Sequence, residues 1–120
     1  MEYNTWYILD KNKNPLPAKC FSDWKHWMNS NNKVIESSTI KNCEIITFFI
    51  GINQEISADK KPILFETIIF KRFPSKTISK IYRRYSDINE AKRWHGNIVK
   101  QYINKFKIKK IIGMEVLNFD

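Results

Sequence analysis

Two apolar runs constrain the fold of this chain more than any other feature. Residues 43–50 read CEIITFFI and residues 63–70 read ILFETIIF. Each is short, rich in β-branched and aromatic side chains, and apolar at both odd and even positions. A strand at the edge of a sheet or open to water on one face alternates instead, so these two are predicted to be central strands. Residues 34–40 precede the first run across Lys41-Asn42, which reads as a two-residue hairpin connection with Asn42 supplying the tolerance for positive φ. Residues 51–61 form a polar loop closed by Pro62.

The second run is followed by a basic loop or hairpin end at residues 71–80, around Pro74, and by a shorter strand at residues 81–85, IYRRY. Near the start, Trp6-Tyr7-Ile8-Leu9 reads as a first strand, and Pro15 and Pro17 hold the next segment extended or turned. Ser22 is placed to cap a helix, with Asp23 in its first turn and Trp24, Trp27 and Met28 on one face. Ser86 or Asp87 caps a second helix, where Asp87 and Glu90 have capping-box spacing. Ile88, Ala91, His95, Ile98, Val99, Tyr102 and Phe106 then share one face, and Arg93, Asn97, Lys100 and Asn104 lie opposite. From Lys105 the pattern FKIKKII alternates like a strand, so the helix is expected to stop there. The fold class is α+β: an antiparallel sheet of four to five strands packed with two helices, in the order β-α-β-β-β-β-α. Residues 1–106 are expected to be one domain. Residues 107–120 are expected to be an extension, either a last strand or an arm that orders on a partner.

Charge is distributed unevenly. The formal net charge is +9, but residues 1–70 hold equal numbers of basic and acidic side chains. Residues 71–110 contain thirteen Lys and Arg against only Asp87 and Glu90. A codon bias toward Ile, Lys and Asn would act along the whole chain and does not explain that asymmetry. A one-sided basic region is the electrostatic footprint of nucleic-acid or nucleoprotein binding; its bland counterpart is a solvated lysine-rich face. The balance excludes an acidic nucleic-acid mimic. No apolar run approaches the roughly 20 residues of a spanning helix, and MEYNTWYILD lacks the pattern of a signal peptide, so no membrane partner is expected. Cys20 and Cys43 are too few for a metal cage or a disulfide framework and suit a reducing cytoplasm.

No enzyme motif is present. His26 and His95 belong to no metal-ligand spacing, and Gly51, Gly96 and Gly113 form no phosphate-cradling loop. His95, within the apolar stripe, reads first as a half-buried histidine bonded to a neighbour; a general acid–base role would need a partner such as Glu66. Glu66 interrupts an apolar strand, so it must be paired, to Arg84 for example, or contact a ligand. No cofactor and no metal are expected.

The segments Tyr7-Ile8-Leu9-Asp10, Pro15-Leu16-Pro17, Trp24 with Trp27, Thr47-Phe48-Phe49-Ile50-Gly51, Pro62-Ile63-Leu64-Phe65-Glu66-Thr67-Ile68-Ile69-Phe70, Arg84-Tyr85, and Glu90-Ala91 with His95 and Val99 carry a resemblance. The chain resembles a family of small uncharacterised proteins of phages and prophages over about residues 6–100. The loop after Gly51 lacks the glycines of that family, and residues 104–120 look like an extension. The resemblance implies origin more than chemistry. With the basic region, it points to a non-catalytic protein of viral origin acting in the host cytoplasm. The expected activity is inhibition of a bacterial defence system, in the manner of an anti-CRISPR protein engaging an RNA-guided nuclease or its guide. Arg72, Arg83, Arg84, Arg93, Lys100, Lys105 and Lys107 are the expected charge contacts, and Tyr85 and Trp94 the stacking or hot-spot contacts. The alternatives are a sponge for a small nucleotide signal, with a pocket combining aromatics and Arg, and a general RNA- or DNA-binding protein. The expected partner is host nucleoprotein or RNA, and the oligomeric state is left open.

Overall fold

The computed structural model describes residues 4–111. In chain order these form β1 (Tyr7–Leu9), β2 (Pro15–Pro17), α1 (Phe21–Ser30), β3 (Val34–Ile40), β4 (Cys43–Phe49), β5 (Phe65–Phe73), β6 (Lys76–Tyr85) and α2 (Ile88–Ile111). The class is α+β. Strands β3 to β6 make one antiparallel sheet in sequential order, so every connection inside it joins neighbours, and β1 pairs with β2 in a separate ribbon. The two apolar runs occupy the centre, with Phe49 opposite Phe65 and Cys43 opposite Lys71.

Alternation along the strands decides which side chains meet α2. Cys43, Ile45, Thr47 and Phe49 of β4 and Phe65, Thr67 and Ile69 of β5 all point to one side and are buried. Ala91, His95, Ile98, Tyr102 and Phe106 of α2 come down on that layer and are buried too, as the helical period predicts. At one end, Phe49, Phe65, Tyr85 and Ala91 pack with Tyr7 and Leu9, and α1 adds Trp27 and Met28. At the other, Cys43, Ile45 and Ile69 pack with Ile98, Tyr102 and Phe106. Each large side chain buried this way contributes about 1.5–3 kcal/mol. The opposite side of the sheet bears Ile46, Phe48, Ile68 and Phe70, and among the described residues no helix lies over it.

Three local expectations are corrected and one is narrowed. The N-cap position of α1 is Cys20, with extended backbone and no side-chain cap bond, so Ser22 lies inside the first turn. Packing decides that start: Phe21 joins Trp6 and Trp24 in an aromatic cluster with centroids 4.7–5.6 Å apart. At the β3–β4 turn it is Lys41, at φ 55°, and not Asn42 that takes the left-handed conformation. Of the two forms expected for residues 71–80, the hairpin end around Pro74 is the one found: β5 and β6 run on to a two-residue turn at Pro74-Ser75. Their charged side chains project from a ladder that the backbone continues, and β6 is an edge strand, where lysines discourage further pairing. Finally, α2 does not stop near Lys105 but continues to Ile111. Phe106 falls four residues after Tyr102, on the buried face, and a short alternating pattern cannot be told from that period. Residues 107–111 are therefore helical, and the rest of the expected last strand or arm lies outside the described residues.

Gly51 ties α1 and β1 to the sheet. Its carbonyl accepts from Trp24 Nε1 at 3.0 Å and from Tyr7 N at 2.9 Å, and its φ is +78°. A Cβ there would lie 2.8 Å from the end of Met28 and 3.1 Å from Trp24 Nε1. Gly51→Ala is therefore expected to destabilise by about 2 kcal/mol. Gly96 lies within α2 with open space around its missing Cβ. Gly96→Ala should stabilise by about 0.5–1 kcal/mol. Urea denaturation of the two variants checks both signs.

Candidate functional site

The outer side of α2 is the most uniform charged feature of the molecule. The helix starts on Asp87, whose Oδ1 accepts from Glu90 N at 2.8 Å, the cap predicted from the sequence. With the apolar stripe fixed against the sheet, the opposite ridge is Arg93, Asn97, Lys100, Asn104 and Lys107, all exposed. Arg93, Lys100 and Lys107 are seven residues apart, about 10.5 Å of rise, with amides between them. Beyond Glu90 the described part of α2 has no carboxylate, and none of these three cations has an ion-pair partner among the described residues.

The β5–β6 hairpin extends this basic side. Lys76 and Lys80, unremarked in the sequence, lie on the α2 side of β6 and are exposed. A groove of about 60 Å³ between hairpin and helix has Ile69, Ile78 and Tyr102 as its floor and Lys71 and Lys80 at its margins. Lys105 stacks over the Tyr102 ring at 5.3 Å. Farther along β6, the Arg83 guanidinium lies 3.9 Å over the Trp94 ring. Two expected contacts are thus brought together, at a separation worth roughly 0.5–2 kcal/mol.

The remaining expected site residues are not on this surface. Arg72 and Arg84 emerge on the opposite side of the sheet, each against a carboxylate: Arg72 with Glu44, and Arg84 Nε with Glu66 Oε2 at 3.2 Å. The strand IYRRY therefore splits, one arginine to each side. Tyr85 is 1% exposed, so no base or partner can lie on its ring. It belongs instead to a buried polar chain that sequence reasoning missed.

That chain runs through all four strands and α2. Tyr85 OH lies 2.9 Å from Thr67 Oγ1, which lies 2.6 Å from Thr47 Oγ1. Thr47 Oγ1 is 2.8 Å from His95 Nδ1, and His95 Nε2 is 2.9 Å from Ser38 Oγ. Only one direction satisfies every buried proton. Tyr85 donates to Thr67, Thr67 to Thr47 and Thr47 to His95 Nδ1, while Nε2–H donates to Ser38. The reverse direction leaves the Tyr85 hydroxyl proton with no acceptor among the described residues, a cost of about 1–3 kcal/mol. In this tautomer His95 has no lone pair facing Ser38, so it is not poised to take the Ser38 proton.

Burial holds the His95 imidazolium back, so its pKa lies below the ordinary histidine value, while the Glu36 carboxylate at 3.9 Å pulls the other way. Because the folded pKa is the lower one, the unfolded chain takes up the proton first. Stability is expected to be level above about pH 6.5 and to fall as pH drops below it. Stability curves at pH 7 and 5 measure this. In His95→Gln that histidine-linked drop should vanish.

Burial also pushes the Cys43 thiol up, against the lowering influence of Lys71 and Lys105, and neither Cys43 nor Cys20 is disulfide-bonded. Among the described residues no group of three or more His, Cys, Asp or Glu is arranged to hold a metal ion. Nor is any described helix long and apolar enough to cross a membrane. An open pocket of about 380 Å³ between the β1–β2 turn and the end of α1 is lined in part by Lys11, Lys13 and Trp27. It contains no arginine. No family model, curated protein or solved structure matches the chain.

Proposed function

We propose that this chain is a non-catalytic binding protein that docks on a polyanion, RNA or a nucleoprotein, through the basic side formed by α2 and the β5–β6 hairpin. The observation that carries the reading is the ridge Arg93–Asn97–Lys100–Asn104–Lys107, a line of cations and amide donors with no acid among them. Lys76 and Lys80 flank it, and the Arg83–Trp94 stack offers a guanidinium pre-set for phosphate. Such a surface neutralises backbone phosphates and reads no base sequence by itself. A viral origin, as the sequence pattern suggests, would make the target a host one, and an RNA-guided nuclease with its guide RNA presents the required anionic surface. Inhibition of host defence is the activity that follows.

Binding of labelled single- and double-stranded RNA and DNA across a salt series tests this. Neutralising four to six phosphates gives a log–log salt slope of about −3 to −5. Absence of binding to all four, together with a host-lysate pull-down that recovers no nucleoprotein, refutes the reading.

A further inference from the structure

We propose that the side of the four-stranded sheet over which no described helix lies is a self-association surface, on which a second copy of this chain packs sheet against sheet about a two-fold axis. Ile46, Phe48, Ile68 and Phe70 stand on that side in the central strands, with Ile81 of β6 exposed beside them. Ser37, Thr39, Thr77 and Ser79 border them on β3 and β6. An apolar centre with a polar margin is the anatomy of an interface, whereas a sheet face meant for water is polar throughout. The patch is four strands wide and about seven residues long, on the order of 450 Å² per copy. That area suits a weak dimer with a micromolar Kd.

Charge selects a second copy as the occupant. The charged side chains of this face are two glutamates and two arginines, Glu44, Glu66, Arg72 and Arg84, so it is neutral on a chain whose net charge is +9. A polyanion has no reason to prefer it. The outward row of β5 reads Glu66, Ile68, Phe70, Arg72, an acid and a base at opposite ends of two apolar residues. A two-fold axis crossing β5 between Ile68 and Phe70 lays that row on its own reverse. Glu66 then faces Arg72 of the second copy, twice per dimer, and Ile68 faces Phe70.

Glu66 itself calls for such a cation. Its side chain is only 9% exposed, and among the described residues its one side-chain hydrogen bond is the 3.2 Å contact from Arg84 Nε to Oε2. Among the described residues no donor reaches Oε1, and no buried side-chain oxygen is left unpartnered, so Oε1 keeps contact with solvent and is open to a cation from outside. Arg72 is 54% exposed and, beyond its bond to Glu44, has guanidinium donors left to offer across the axis. Neither this face nor its charges belong to the basic surface, so dimerisation leaves both copies of that surface open.

Sedimentation velocity of the full chain between about 1 and 200 µM is the test. The wild type should pass from monomer to dimer in that range. Arg72→Glu sets two carboxylates against each other twice and should weaken the dimer about a hundredfold, with Arg72→Gln weakening it about tenfold. Glu44→Gln removes the same intrachain pair without touching the proposed contact, and should dimerise like the wild type. Circular dichroism confirms folding of each variant. If Arg72→Glu fails to fold, Arg72→Gln decides. The proposal is overturned if the wild type stays monomeric throughout, whether the face is bare or covered by another part of the chain. It is overturned equally if the folded Arg72 variants dimerise normally, or if Glu44→Gln weakens the dimer as much as they do.

Discussion

Thr67→Val is expected to cost about 3 kcal/mol of folding stability, and Tyr85→Phe, at the other end of the same hydrogen bond, about 1 kcal/mol or less. The difference comes from the direction of the buried chain. Tyr85 is its terminal donor, so removing that hydroxyl leaves Thr67 still donating to Thr47 and strands no proton. Valine at 67 keeps the shape of threonine but leaves the Tyr85 proton buried without an acceptor and takes a donor from Thr47. A double variant carrying both changes removes the stranded proton and should recover about 1–2 kcal/mol relative to the sum of the single effects. Urea titrations of the three variants and the wild type close that cycle. Equal costs for the two single variants would reverse the direction and, with it, the His95 tautomer. That result would restore a lone pair on Nε2 facing Ser38 and reopen a catalytic reading.

The second large effect concerns binding. Reversal of Arg93, Lys100 and Lys107 together to glutamate should lower affinity for a single-stranded RNA about a hundredfold or more at about 0.1 M salt and flatten the salt slope by about three. All three side chains are exposed on the ridge, so the fold has no reason to change. Reversal of Lys11 and Lys13, on the β1–β2 turn, shifts net charge in the same direction but away from the ridge. It should change affinity by less than about threefold, since long-range charge is screened beyond about 8–10 Å. Similar losses for both sets would mean that net charge acts diffusely and that the ridge is not a site.

The two readings concern different sides of one sheet. Arginine content alone placed Arg72, Arg83 and Arg84 together, yet consecutive strand residues point to opposite sides, and Arg83 and Arg84 part company. Arg84 is committed to Glu66, as the interruption of an apolar strand by a carboxylate already suggested.

What the sequence determined by itself was local or periodic. The apolar runs at 43–50 and 63–70 specified central strands because β-branched and aromatic residues at both parities suit the middle of a sheet better than its edge. The second helix, its Asp87 cap and most of its outer ridge followed from the 3.6-residue period, which places Arg93, Asn97, Lys100 and Asn104 opposite His95 and Ile98 whatever the helix packs against; Lys107 joins them only because the helix runs past Lys105. Tertiary structure alone decided what depends on residues far apart in the chain. Ser38, Thr47, Thr67, Tyr85 and His95 carry no common motif, and only the register of four strands under one helix brings their hydroxyls and imidazole within 2.6–2.9 Å. The length of α2 beyond Lys105 and of the β5–β6 hairpin was decided the same way. Local patterns there are compatible with several conformations, and burial of Phe106 and completion of the backbone ladder select one. The net charge could be read from composition. Its division into a basic side and a neutral apolar side required the sheet.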